Sequence, residues 1–139
     1  MNITVDTNVF VELILAQKRA EECEALLRAV GEGRIKGFIS HFSLHAIEAM
    51  YPAGDKRLQE FLLTIERSRG LTIYETTLSD ELSAAILSQK FSLDFGDTIQ
   101  YYVAKKTGSV AIVSFDKHFE GLDIPRRDPA QILNDMSNP

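Results

Sequence analysis

The chain has 139 residues and a formal net charge of −5, with 45% hydrophobic and 25% charged residues, eight Gly and four Pro. That length accommodates one ordinary core, so a single domain over residues 1–139 with one site is expected, and disordered, collagen-like and linker-dominated chains are excluded. Twenty acids against fifteen bases exclude a surface that attracts nucleic acid all over, and leave room for a local basic rim or for carboxylates gathered around a divalent cation.

Asn2 to Asp6 predicts a short strand, with Ile3 and Val5 alternating with Thr4, running into a helix from Asn8 to Ala16. Met1 to Phe10 carries an acid where a secretory leader needs basic residues. No apolar stretch approaches the roughly 20 residues that cross a bilayer, so a cytoplasmic location without a membrane partner is expected. Lys18 to Glu32 predicts the second helix through Ala20, Cys23, Leu26, Leu27 and Val30, ended by Gly31 and Gly33. Cys23, the single cysteine, allows no intrachain disulfide and reads as a small packed side chain.

Lys36 to Ser40 predicts the second strand and His41 to Tyr51 a helix broken by Pro52 and Gly54. Leu58, Phe61, Leu62 and Ile65 form the apolar stripe of another helix, ended by Gly70. Leu71 to Glu75 predicts a third strand, and Leu78 to Lys90 a helix through Leu82, Ala85, Ile86 and Gln89. Asp94 to Thr107 predicts a helix closed by Gly108, and Val110 to Val113 a strand covered on both faces. An extended piece around Leu122 to Arg126 and a short helix from Pro129 to about Asn134 finish the pattern. Strands alternating with helices imply an α/β fold with a mostly parallel sheet between two helical layers.

In such sheets ligands bind beyond the carboxyl ends of the strands. Asp6 follows the first strand and Asp116 follows Val110 to Val113, while Asp97 stands in the first turn of a helix that starts at the same rim. Each has a plainer reading as a turn or helix-capping residue. Glu48 shares a helix face with Leu44, Ile47 and Tyr51, where a carboxylate needs a partner or a metal. Asp6, Glu48, Asp97 and Asp116 form a candidate quartet whose mutual repulsion a hard divalent ion, Mg²⁺ or Mn²⁺, relieves.

Four segments carry a family resemblance over nearly the whole chain: Val5-Asp6-Thr7-Asn8-Val9-Phe10, Glu48 in its helix, Phe95-Gly96-Asp97-Thr98-Ile99, and Ser114-Phe115-Asp116-Lys117-His118-Phe119. In their order and intervals they resemble the PIN-domain ribonucleases, and most the short VapC-type toxins. The segment Ser43 to Met50 departs from the usual threonine-containing form. The resemblance implies a Rossmann-like, three-layer α/β/α fold of strand order 3-2-1-4-5 and Mg²⁺- or Mn²⁺-dependent hydrolysis of RNA, with single-stranded RNA as the expected substrate. It further implies Asp6, Glu48, Asp97 and Asp116 as metal ligands or positioners of metal-activated water, and Asn8 and Ser114 as residues that orient them. A homodimer and an antitoxin partner are implied in the same way.

Three other readings stand beside it. Asp6 as a phosphoryl acceptor makes the chain a phosphoryl-transfer protein, although Asn8 stands where one such family has a second Asp. His41, His45 and Glu48 lie along one helix side as potential zinc ligands, without the intervening glutamate of metalloproteases. A scaffold that binds RNA or protein without cutting is the third. The basic pairs available to RNA are Lys18 with Arg19, Lys56 with Arg57, Lys105 with Lys106 and Arg126 with Arg127. An RNA path over them implies steep salt dependence.

Overall fold

The structure, a computed structural model, describes residues 1–138. Five strands, β1 (Asn2–Val5), β2 (Lys36–Ser40), β3 (Leu71–Tyr74), β4 (Ala111–Val113) and β5 (Arg126–Arg127), form one sheet of order β3-β2-β1-β4-β5. All four strand pairings are parallel. The helices are α1 (Thr7–Ile14), α2 (Ala20–Gly31), α3 (His41–Glu48), α4 (Lys56–Arg67), α5 (Leu78–Lys90), α6 (Phe95–Lys106) and α7 (Pro129–Ser137).

Alternation along the strands sends side chains to two separate cores. Ile3, Val5, Ile39, Ala111 and Val113 pack with residues of α1, α2, α3 and α7 on one face, joined by half-buried Phe61 and Ile65 of α4. Ile112 packs with Tyr101 and Ala104 of α6 on the other, and Phe38 and Tyr74 meet Ala84 of α5 and Val103 of α6. Helices thus cover both faces of a parallel sheet, as the chain pattern requires. Gly70, just before β3, is fixed by close approach: a Cβ there would lie 2.3 Å from the Ile35 carbonyl oxygen and 2.5 Å from that of Val30.

Several boundaries differ from the periodicity. α3 stops at Glu48 rather than Tyr51, and β4 starts at Ala111 rather than Val110, whose side chain is exposed although its amide bonds to the Asn2 carbonyl at 2.8 Å. β5 is only the end of the expected extended piece, and α7 runs on past Asn134. Leu82 and Ile86, counted toward a core stripe, are exposed instead; α5 turns Ala84 inward. No helix among the described residues is long and apolar enough to cross a membrane.

Candidate metal centre

The strand order places the reversal of chain direction across the sheet between β1 and β4, the position where α/β sheets open a crevice at their carboxyl edge. Asp6 follows β1 and caps α1, accepting from the Thr7 amide at 2.7 Å. Asp116 lies beyond β4 and caps a 3₁₀ turn over Lys117–Phe119, accepting from the His118 amide at 2.9 Å. Asp97 sits in the first turn of α6, capped by Asp94, which accepts from the Asp97 amide at 2.8 Å. Capping and cavity-lining are therefore compatible roles here, because a helix that begins at a strand's carboxyl end directs its first polar residues into the crevice.

Asp6, Asp97 and Asp116 line one cavity of about 340 Å³, together with Asn8, Phe42, Ser43, Asp94, Gly96 and Gln100. Ligand atoms of Asp97, Asp116 and His118 all lie within 4.8 Å of one another. The His118 Nδ1 is 3.2 Å from Asp116 Oδ1 and 3.6 Å from Asp97 Oδ2.

Behind this group Asp6 is 8% exposed, and hydrogen bonds reach both of its oxygens. Oδ1 accepts from Thr7 N and from Gln100 Nε2 at 3.1 Å, and Oδ2 accepts from the Ser114 hydroxyl at 2.7 Å. The Ser114 oxygen in turn accepts from Asn8 Nδ2 at 3.1 Å and from the Asp116 amide at 2.9 Å. One hydroxyl thus ties the first and last motifs together. Gln100 Nε2 also donates to the Ser43 hydroxyl of α3, while Gln100 Oε1 is buried with no hydrogen-bond partner.

Electrostatics follow from this crowding. Burial pushes the Asp6 carboxyl above its ordinary value, outweighing its hydrogen bonds, and the charge of Asp116 adds to the rise. Asp97 is pushed up to about 6, first by burial and then by the charges of Asp94, Asp116 and Asp6, with His118 opposing. Like charges raise one another's proton affinity in this way when no cation stands between them.

Glu48 is not brought to this cavity. Its Oε1 meets His45 Nδ1 at 2.6 Å on the same helix, so its hydrogen-bond partner is a neighbour one turn away. The reason is helical geometry: Ser43 faces the cavity, and five residues at 3.6 per turn place Glu48 about 140° around the axis. The zinc reading of the same helix is not supported either: His41 Nδ1 faces Glu75 at 3.7 Å, and among the described residues the ligand atoms that converge are those of Asp97, Asp116 and His118.

Three site residues escaped the sequence reading. His118 is two positions beyond Asp116 inside the last motif, and only the 3₁₀ turn reveals that the spacing brings both to one point. Gln100 follows Asp97 by three, one turn along the same helix face, a spacing that would have identified it. Ser43 had no such local signal, because its side-chain partner, Gln100, comes from α6.

The PIN domain family model matches residues 3–125. In solved structures, the fold is similar to that of the VapC20 toxin of Mycobacterium tuberculosis, described as cleaving the sarcin-ricin loop, at 19% identity over 88% of this chain and 95% of that one, with a TM-score of 0.69. It is similar to VapBC2 of Rickettsia felis bound to a promoter DNA fragment, at 13% identity over 92% and 98% of the two chains and a TM-score of 0.70. It is also similar to a toxin-antitoxin complex from Klebsiella pneumoniae, at 18% identity over 91% and 97% and a TM-score of 0.65. No curated protein matches in sequence. At these identities the structural likeness concerns the fold.

Proposed function

The chain belongs to the PIN domain family, and from that premise we propose that it is a Mg²⁺- or Mn²⁺-dependent endoribonuclease acting at the carboxylate cavity. The observation that carries this reading is the convergence of Asp6, Asp97 and Asp116, distant in sequence, on one cavity. The donor set fits a divalent ion: two carboxylates supply the oxygens hard ions take, and the single imidazole nitrogen favours Mn²⁺ over Mg²⁺, with all three ligand atoms within 4.8 Å of one another. Asp97, Asp116 and His118 would hold the ion, with Asp6 behind them offering its remaining lone pairs. Bound there, a divalent ion lowers the pKa of water and polarises a phosphoryl oxygen.

The chain's own residues contribute order. Ser114 and Gln100 fix the Asp6 carboxylate from two sides, and Asn8 fixes Ser114. Because both Asp6 oxygens already accept hydrogen bonds and the group is buried, the carboxylate is oriented as an electrostatic support, a poor arrangement for attack on phosphorus. RNA, a macromolecule too large for the cavity, needs only one phosphate to enter.

The test is cleavage of RNA by protein stripped with EDTA. Mn²⁺ or Mg²⁺ is expected to restore cutting, and Asp97→Asn to abolish it with unchanged circular dichroism. Intact RNA across varied sequences with the ion bound, as read by calorimetry, would refute the nuclease reading. The family resemblance and the toxin-antitoxin complexes among the similar structures extend the proposal to a toxin that pairs with an antitoxin and with a second copy of itself. Induced expression is then expected to arrest growth, and light scattering to return twice the chain mass.

A further inference from the structure

Two exposed aromatic side chains meet beside the acid cavity, Phe42 in its lining and Phe95 next to the lining residues Asp94 and Gly96. Phe42, the second residue of α3, lines the cavity and is 47% exposed; Phe95, the first residue of α6, is 39% exposed. Their ring centroids are 6.1 Å apart with planes at 83°. An edge-to-face pair uses at most one face of one ring, so open aromatic surface remains beside the carboxylates. Neither ring joins a hydrophobic cluster among the described residues.

The backbone is fitted to this pair. Gly96, between Phe95 and Asp97, has Phe42 across from it: a Cβ on Gly96 would lie 3.1 Å from Phe42 Cε1. Without a side chain there, the Phe42 ring settles against the start of α6, and the acid and the aromatic surface are held on one short segment.

The chain is net acidic, and one member of each of its four basic pairs is engaged within the protein. Arg19 pairs with Glu22 and Asp128, Arg57 with Asp55, Lys105 with Asp123, and Arg126 with Glu120. Phosphate contacts carry no information about base pairing, so selection of unpaired bases needs a source that ionic attraction does not supply. Stacking on aromatic faces is that source for unpaired bases, since every base has a π-face and a base inside a duplex offers none.

We propose that Phe42 and Phe95 form a stacking platform for one unpaired nucleobase adjoining the phosphate that enters the acid cavity, which restricts the substrate to single-stranded RNA. The inference rests on the nuclease reading above and deepens it. Phe42 and Phe95 act on the base, and the carboxylates act on the phosphate.

The experiment uses the full chain with Phe42→Leu and Phe95→Leu, which keep apolar bulk and lose the π-face, and Phe42→Trp, which restores it. Substrates are single-stranded oligoribonucleotides spanning a mapped cut site, the same strands with an abasic nucleotide on either side of that site, and their duplexes. The leucine variants are expected to raise KM about ten-fold with little change in kcat, and Phe42→Trp to remain near wild type. Wild type is expected to lose a similar factor on one abasic strand, on which the leucine variants lose nothing further. An aminopurine base at that position should be quenched on binding to wild type in EDTA, and left bright by Phe42→Leu.

Unchanged KM in both leucine variants, with wild type indifferent to abasic strands, overturns the platform. So does loss of a co-purifying protein partner from those variants while their RNA parameters stay at wild-type values, which assigns the rings to protein docking. If wild type cuts no RNA, the nuclease reading fails separately. The aminopurine signal with single-stranded RNA then decides the platform alone, its absence in wild type overturning it.

Discussion

Asp97 carries the sharpest consequence at the scale of single residues. Its proton affinity is raised to about 6 by burial and neighbouring acids, so between roughly pH 4 and 6 the folded protein retains a proton that the unfolded chain has released. This group's contribution to stability is therefore present at low pH and lost as pH rises through 6 when no ion is bound. Asp97→Asn, a neutral mimic, is expected to melt above wild type at pH 7.5 in EDTA and alongside it at pH 3.5. Mn²⁺ should raise the wild-type melting temperature more at pH 7.5 than at pH 5, because below 6 the ion must displace a proton. A variant that melts below wild type at pH 7.5 would show that Asp97 is not under this strain. Cys23 is the contrasting case: fully buried, with a thiol pushed up to about 12 by burial and by the charges of Glu22 and Glu12, it is a packing residue.

Individual elements decide which acids act together. α3 presents Ser43 to the cavity and carries Glu48 around its other side, paired to His45. Glu48→Gln is accordingly expected to leave Mn²⁺ affinity at the wild-type value by calorimetry, where Asp97→Asn reduces it strongly. An equal loss in both would mean that α3 delivers Glu48 to the ion after all. The approach to β3 depends on Gly70, whose hydrogen faces two backbone carbonyls. Gly70→Ala should cost about 2–3 kcal/mol of stability, measured by urea unfolding, since backbone rather than a flexible side chain must move. α5 shows how far periodicity carries. Its apolar residues recur at helical spacing, yet Leu78, Leu82 and Ile86 are 83%, 62% and 60% exposed, a stripe that its own chain leaves uncovered.

For the whole molecule, the balance of charge sets how it meets a polyanion. Four of the eight basic residues available to RNA are held in internal ion pairs, and the cavity itself is acidic. With the other four left to meet phosphates, a slope of log affinity against log salt of about −3 is expected on a single strand. Filter binding of RNA by Asp97→Asn from low to moderate salt measures it. A much steeper slope would reveal a basic path that the ion pairs do not show, closer to the steep dependence expected from sequence.

Local patterning was enough to determine that strands alternate with helices and that Asp6, Asp97 and Asp116 stand at strand and helix ends, because alternation, helical spacing and capping residues all act over a few neighbours. The four motifs added the strand order, which the sheet has. Rotation about a helix axis and meetings between distant elements belong to packing, and there local signals were silent. Tertiary structure alone turned Glu48 away from the cavity, brought Asp97 beside Asp116 and His118, set Ser43 and Gln100 behind Asp6, and left Phe42 and Phe95 in the open. Each of these outcomes depends on which faces the two cores consumed, a competition among the whole chain's apolar residues that no single segment encodes.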